Sequence, residues 1–136
     1  MAEFVKVLVD TSIWSLALRR KASIDGEILD KLKSLILSNQ VVLIGPVRQE
    51  LLSGIADEYN FARLKLKLDG YIDFPIATQD YVTAAQLYNC CRSRGIQGSM
   101  VDFLICAVAI NNDMTIFTSD KDFNNFAKYL PIKLFT

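Results

Sequence analysis

The sequence predicts an α/β fold in which a mostly parallel sheet of about four or five strands is flanked by helices. Short, β-branched apolar runs alternate with longer segments of helical periodicity along the whole chain. No internal repeat, linker or low-complexity segment divides it. A chain of 136 residues is long enough to bury the core of one domain, so we expect a single domain spanning residues 1–136.

The first half of the chain is predicted to alternate strands and helices. The run FVKVLV is nearly all apolar and rich in β-branched residues, as expected of a strand that is buried on both faces. Gly45 and Pro46 mark the start of a short helix, because proline is well tolerated in a first helical turn, and Gly54 marks its end. The predicted elements are a strand at 4–9, helices at 12–20 and 25–37, a strand at 41–44, and helices at 45–54 and 57–68.

The second half contains the longest helical patterns. Thr78 is expected to cap a helix that runs to about Arg94, and the very apolar segment from Met100 to Asn111 is expected to be another helix. The remaining elements are a minor strand at 71–74, a strand at 114–118, a short helix within 119–126 and a last strand at 132–135.

Composition excludes several classes of protein. The chain has no histidine, which rules out Ser-His-Asp and Cys-His catalysis, and without a CxxC pair a zinc site is not expected. Its three cysteines lack the spacing of a secreted scaffold, so we expect reduced thiols and a cytoplasmic protein. There is no pattern of a signal peptide and no apolar stretch of membrane-spanning length. The net charge of zero does not by itself indicate a nucleic-acid or membrane partner.

Separate segments of the chain are predicted to bring carboxylates to one edge of the sheet. Ligands of parallel sheets bind beyond the carboxyl ends of the strands. Asp10 follows the first strand, and Glu50 lies in the helix entered directly from the second. Asp120 and Asp122 follow the predicted strand MTIFT. The helix of Asp102 leads into that same strand and so runs antiparallel to it, which places Asp102 at the same edge.

Each aspartate also has a purely structural alternative. Asp10 could cap a helix, a role in which Asp is favoured. Ser99 and Asp102 have the spacing of a capping box, and Asp120 or Asp122 could cap the helix that follows them. Clustered carboxylates repel, however, and crowding raises their pKa values or demands a counter-cation. Oxygen ligands without His or Cys select Mg²⁺ or Mn²⁺, so the cluster predicts a metal site suited to phosphoryl chemistry.

Glu50 is the acid that a capping role does not explain. It shares a helix face with Val47, Leu51 and Gly54, so we expect its carboxylate to point inward beside apolar neighbours. A buried carboxylate is costly unless it is paired or bound to a cation. Its position therefore strengthens the prediction of a metal ion at this edge of the sheet.

Four motifs follow one another along nearly the whole chain: VLVDTSIW, QELLSG, VDFLICAVAI and TSDKDF. This ordered set resembles the PIN-domain family, and more narrowly the VapC-type toxin ribonucleases of toxin–antitoxin pairs. The resemblance implies a PIN-like domain and an endoribonuclease that hydrolyses RNA with Mg²⁺ or Mn²⁺ and an activated water. It also implies a set of catalytic, metal-binding acids, namely Asp10, Glu50, Asp102 and Asp120, with Asp122 at a more variable acidic position.

The resemblance further implies supporting hydroxyls and protein partners. Thr118 or Ser119 would hydrogen-bond a ligand at the site, and Thr11 and Ser12 would do likewise behind Asp10. The family implies a homodimer and a cognate antitoxin whose C-terminal segment covers the acidic cleft. The chain would then be the toxin component of a type II system and act on RNA in the cytoplasm.

Two groups of cations are candidates for contact with RNA. They are Arg19, Arg20 and Lys21 near the first motif, and Arg92 and Arg94 before the third. Ordinary solvated surface is an equal alternative for all of them, because cations are common on any protein surface.

Several other α/β proteins place acids at strand ends and are weaker matches to this sequence. A receiver domain requires two adjacent acids after its first strand, and Thr11 follows Asp10 instead. A haloacid-dehalogenase-type phosphatase requires Asp-x-Asp there, and Ser12 stands in place of the second Asp. The chain contains no GxxxxGK[ST] loop for a nucleotide. A catalytically inactive binding module with the PIN fold stays open as an alternative.

Overall fold

A parallel β-sheet lies at the centre of the computed structural model, which describes residues 4–18 and 26–136. Within these residues the sheet has three strands, β1 (Val7–Val9), β2 (Val41–Val42) and β3 (Thr115–Phe117). Their order is β2-β1-β3, and both pairings are parallel. Every residue of β1 is buried, as its unbroken apolar run predicts for a central strand.

Two of the predicted strands are reduced to single bridges at the edges of this sheet. Leu43 pairs in parallel with Asp73, and Ile116 pairs in parallel with Leu134. Counting these bridges, the sheet is five segments wide among the described residues, as expected, but only its inner part is regular. Pro75 and Pro131 adjoin the two edge segments, and proline removes the backbone donor that a longer ladder would need.

The helices lie close to their predicted positions. Within the described residues they are α1 (Thr11–Leu18), α2 (Gly26–Leu37), α3 (Gly45–Ser53), α4 (Glu58–Leu68), α5 (Thr78–Arg92), α6 (Met100–Asn111) and α7 (Asp122–Ala127). Gly54 caps the C-terminus of α3, and α6 has the predicted bounds. No helix of the described segments is both long and apolar enough to cross a membrane.

The ends of several elements differ from the predictions. The first strand is shorter than residues 4–9, because the side chains of Phe4 and Val5 are exposed rather than buried. Thr78 is the first residue of α5 and not its cap, since the cap position is taken by Ala77. Instead, Asp80 accepts a hydrogen bond from the backbone N–H of Ala77 at 2.9 Å. The helix ends at Arg92, two residues earlier than expected.

Helix α6 is the centre of the core and fixes where the site lies. Its residues from Phe103 to Ala109 are all buried, which matches its uninterrupted apolar sequence. The chain passes from α6 directly into β3, so the helix runs antiparallel to the strand. The N-terminus of α6 therefore lies at the edge of the sheet where β1 and β3 end.

Candidate metal centre

Asp10 follows β1 and is the most deeply buried acid of the predicted cluster. The residue is only 4% exposed. Ser12 Oγ and Thr118 Oγ1 each donate a hydrogen bond to Asp10 Oδ2 at 2.8 Å. Within the described residues no backbone N–H donates to this carboxylate, so its side chain does not cap α1. The first turn of α1 is instead closed by the backbone carbonyl of Asp10, which accepts from Ile13 N–H at 3.1 Å.

The same two hydroxyls tie the loop after β3 to the start of α1. Thr118 Oγ1 accepts a hydrogen bond from Asp120 N–H at 3.0 Å. Ser12 Oγ accepts one from Ser119 N–H at 3.1 Å. Each hydroxyl thus gives its proton to Asp10 and receives one from the loop. Ser119 contributes its backbone here, whereas the sequence suggested a role for its hydroxyl.

Glu50 lies on the exposed side of α3, so the expectation that it points inward is wrong. Burial in α3 is confined to Val47 and Leu51, which lie four residues apart on one stripe. Glu50 precedes Leu51, and one residue turns a helix by about 100°. Its carboxylate nevertheless faces α1, because Thr11 Oγ1 donates a hydrogen bond to Glu50 Oε1 at 2.6 Å.

Asp102 belongs to a complete capping box at the N-terminus of α6. Ser99 Oγ accepts from Asp102 N–H at 3.0 Å, and Asp102 Oδ2 accepts from Ser99 N–H at 3.0 Å. Asp102 therefore does have the capping role that was the structural alternative. Within the described residues, however, no donor forms a hydrogen bond with its other oxygen, Oδ1. Burial raises the pKa of this carboxyl, against the opposing hydrogen bonds of Ser99. The nearby charges of Asp10 and Asp120 raise the pKa further.

Three carboxylates form a compact group at this edge of the sheet. One oxygen each from Asp102, Asp120 and Asp122 lies within 4.8 Å of the other two. Asp120 Oδ1 also accepts a hydrogen bond from Asp122 N–H at 2.9 Å, which closes the turn into α7. Asp102 and Asp120 are half-buried and Asp122 is exposed. Asp122 is thus placed more centrally than its variable position in the motif implied, and the group does not include Asp10 or Glu50.

The acidic group has the chemistry of a site for a small, hard cation. No lysine or arginine of residues 4–18 and 26–136 forms a salt bridge with Asp10, Glu50, Asp102, Asp120 or Asp122. Converging carboxylates without a counter-charge repel one another. A donor set made only of oxygen, on three side chains that one ion can reach, fits Mg²⁺ or Mn²⁺.

The candidate RNA-binding cations are only partly within the described residues. Arg19, Arg20 and Lys21 lie outside them. The Arg94 guanidinium lies over the ring of Tyr129, with 4.5 Å from Cζ to the ring centroid. Arg92 lies over Tyr88 at 5.7 Å. Arg94 and Tyr129 are 35 positions apart in the sequence, so only the tertiary structure shows that they meet.

The PIN domain family model matches residues 7–129, which is nearly the whole chain. The chain belongs to the PIN-domain family. This confirms the resemblance seen in the four motifs and the predicted fold, and it removes the receiver-domain and phosphatase alternatives. A comparison with curated proteins finds no match.

Several solved structures are similar to this PIN domain. The chain resembles FitAcB from Neisseria gonorrhoeae with 23% identity and a TM-score of 0.75, covering 96% of each chain. VapBC2 from Rickettsia felis, solved with a DNA fragment from its promoter, has 18% identity and a TM-score of 0.76, covering 96% of this chain and 98% of that one. VapBC-1 from nontypeable Haemophilus influenzae has 15% identity and a TM-score of 0.71, covering 96% and 97%. At these identities the likeness establishes a shared fold.

Proposed function

We propose that this PIN domain is a metal-dependent endoribonuclease and the toxin of a type II toxin–antitoxin pair. The observation that carries the proposal is the group of Asp102, Asp120 and Asp122, whose oxygens lie within 4.8 Å of one another at the edge of the sheet. Asp10 lies close enough for its charge to raise the pKa of Asp102. All the acids of the family motifs are present, which favours an active enzyme over an inactive binding module.

Different residues of the chain would have different roles at such a site. Asp102, Asp120 and Asp122 would hold Mg²⁺ or Mn²⁺, with Asp10 beside them. Such an ion supplies a water of lowered pKa and a positive charge for the phosphate. Ser12 and Thr118 fix Asp10 through hydrogen bonds of 2.8 Å, so this carboxylate is orientated before substrate arrives. Glu50, held by Thr11, stands exposed at the rim, where it would face the RNA or a second ion.

We expect no covalent intermediate with this protein. It has no histidine, and burial raises the pKa of the Cys91 and Cys106 thiols, which keeps both protonated. We therefore propose that water attacks phosphorus directly and that the 3′-oxygen of the RNA leaves. The products would carry a 5′-phosphate and a 3′-hydroxyl.

We also propose a cognate antitoxin and a homodimer as partners in the cytoplasm. Support for the antitoxin comes from structures with a similar fold, which include VapBC and FitAB. Another similar structure is described as a toxin–antitoxin complex from Klebsiella pneumoniae. The homodimer rests on the family resemblance alone. Which RNA is cut depends on surface contacts around the acidic edge.

The experiment is cleavage of a structured RNA pool with Mg²⁺, with Mn²⁺ and with EDTA. We expect cleavage only with metal, and its loss in Asp102→Asn. Asp113→Asn is the matched control, because Asp113 is an exposed acid that pairs with Lys133 at 2.9 Å. Cleavage in EDTA, or no cleavage by a folded sample under any condition, would refute the proposed activity. Retained RNA binding without cleavage would favour the inactive binding module.

A further inference from the structure

The loop before α6 touches α7 at a glycine. A Cβ atom built on Gly98 would lie 2.6 Å from Phe126 Cζ, 2.9 Å from Phe103 Cε2 and 3.0 Å from Phe103 Cζ. Real side chains essentially never approach a Cβ more closely than 3.0 Å. The backbone at Gly98 is not in the left-handed region, so it is the absence of a side chain, and not the conformation, that requires glycine here.

The two rings that face Gly98 have no room to move. Phe126 is fully buried and Phe103 is 2% exposed. Their ring centroids are 5.0 Å apart. Phe103 also packs edge-on against Tyr88 at 5.6 Å, and Phe126 packs against Phe123 at 5.2 Å. In a close-packed aromatic cluster of this kind, extra volume shifts the backbone because the rings cannot rotate away.

Each side of this contact carries acids of the metal group, which is the set of Asp102, Asp120 and Asp122. Ser99 follows Gly98 directly and forms the capping box with Asp102. On the other side, Phe126 belongs to α7, which begins at Asp122. A change in the separation of the Gly98 loop and α7 would therefore also change the separation of Asp102 from Asp120 and Asp122. A second contact, Arg94 over Tyr129, holds the same two segments together.

We propose that Gly98 is a positioning residue for the metal group. Its bare backbone lets the N-terminus of α6 approach α7 closely enough for Asp102 to share one ion with Asp120 and Asp122. This inference rests on the proposed function and adds a residue that does not touch the ion. It also gives Phe126 a role as the surface against which the Gly98 loop is set.

The geometry sets the size of the expected effect. In Gly98→Ala the gap to Phe126 must widen from 2.6 Å to at least 3.4 Å for an ordinary contact, which is an opening of 0.8 Å. Metal and catalytic sites need their side chains within about 0.5 Å of the productive geometry. We therefore expect the affinity for Mn²⁺ to fall by about tenfold or more and RNA cleavage by about a hundredfold.

The test combines a metal-free crystal structure of Gly98→Ala with titrations of Mn²⁺. We expect the start of α6 to move away from α7 by about half an ångström or more, and the affinity for Mn²⁺ to fall. Gly70→Ala is the matched control, because a Cβ at Gly70 meets nothing within 4 Å. It should leave the Mn²⁺ affinity unchanged. Gly98→Ala combined with Phe126→Leu removes the nearest clashing atom, Phe126 Cζ, but leaves Phe103 Cε2 at 2.9 Å, so this pair should regain part of the affinity.

The outcomes separate this inference from the proposed function. Mn²⁺ affinity in folded Gly98→Ala within twofold of the wild type, or an unmoved α6, would overturn the positioning role. So would a double variant that recovers stability in a thermal melt but not affinity, because Gly98 would then serve packing alone. If the wild type itself binds no Mn²⁺, the proposed function fails, and the displacement of Asp102 in the crystal structure still decides the role of Gly98.

Discussion

Thr118 Oγ1 donates a hydrogen bond to Asp10 Oδ2 at 2.8 Å, across two neighbouring parallel strands. The residues are 108 positions apart in the chain, and the pairing of Val9 with Phe117 brings them together. The same Thr118 oxygen accepts from Asp120 N–H, so one hydroxyl connects a buried acid to the segment that carries two others. Asp10 and Asp120 are thereby held in a fixed relation before any ion binds.

The first prediction removes that hydroxyl. Thr118→Val keeps the shape of the side chain but takes a donor from a buried carboxylate and an acceptor from Asp120 N–H. We expect the free energy of unfolding, measured in urea with EDTA, to fall by about 1.5 kcal/mol or more. RNA cleavage should fall by more than this loss of stability explains. Thr115→Val is the control, because Thr115 lies on β3, the strand that Thr118 follows, and its hydroxyl bonds to none of the described residues. Equal effects of the two substitutions would contradict the role of Thr118.

The second prediction concerns neutralised acids. Asp10→Asn, Glu50→Gln and Asp102→Asn should each lower RNA cleavage by about a hundredfold or more. Their stability in EDTA should be equal to or higher than that of the wild type, because Asp10 and Asp102 belong to a set of repelling charges and Glu50 is exposed. Thermal melts in EDTA, run beside the cleavage assay, measure both effects. A variant that is clearly destabilised but still cleaves RNA would show that its acid is structural.

The third prediction separates the two roles of Asp102. Asn can still accept the hydrogen bond from Ser99 N–H, whereas Ala cannot, so only Asp102→Ala breaks the capping box. Loss of a helix cap costs about 1 kcal/mol. We therefore expect both variants to lose Mn²⁺ binding, but only Asp102→Ala to unfold at lower denaturant in EDTA. Retained Mn²⁺ binding in Asp102→Asn would exclude this carboxylate as a ligand.

The fourth prediction is a dependence on pH without metal. Burial, with the charges of Asp10 and Asp120, raises the pKa of Asp102 above its ordinary value of 3.8. The ordinary value applies to the unfolded chain and the raised value to the folded state. Between these two pKa values the folded state binds more protons than the unfolded chain, so stability falls as the pH rises through that interval. Asp102→Asn lacks this loss and should gain stability relative to the wild type as the pH rises. Urea melts in EDTA from pH 3 upward, at about half-unit steps, measure it.

A control of opposite sign is available at the surface. The pKa of Asp113 is lowered by its hydrogen bond to Lys133 and by the charge of that lysine. Asp113 therefore contributes stability above its unfolded pKa, and this contribution is lost as the pH falls through the lowered value. Asp113→Asn should become less stable relative to the wild type as the pH rises. The same sign in both variants would contradict the assignment for Asp102.

The fifth prediction concerns the ends of the RNA products. Direct attack by water leaves a 5′-phosphate, so the downstream fragments should be degraded by an exonuclease that requires a 5′-phosphate. Attack by the 2′-hydroxyl of the RNA would instead leave a 2′,3′-cyclic phosphate. Analysis of end groups by mass spectrometry distinguishes the two. Cyclic phosphate ends would refute the hydrolytic mechanism even if the protein proved to be a ribonuclease.

Local sequence patterns were sufficient for the elements and for the edge at which the acids meet. The bounds of α6 follow from its apolar run, its capping box and the Asn that ends it. That Asp10 and Asp120 lie at one edge follows from the rule that parallel strands end on the same side. Both conclusions depend on interactions over a few residues or on topology, and neither needs the packing of side chains.

What the tertiary structure alone decided depends on contacts between distant segments. Glu50 proved exposed because the rotation of α3 about its axis is set by where Val47 and Leu51 pack, which a helical pattern does not fix. Asp122 belongs to the compact group because of how α6 and α7 pack against each other. The same packing requires glycine at position 98. Such distances of a few ångströms are set by how a whole core fills its volume, and single residues carry no signal of them.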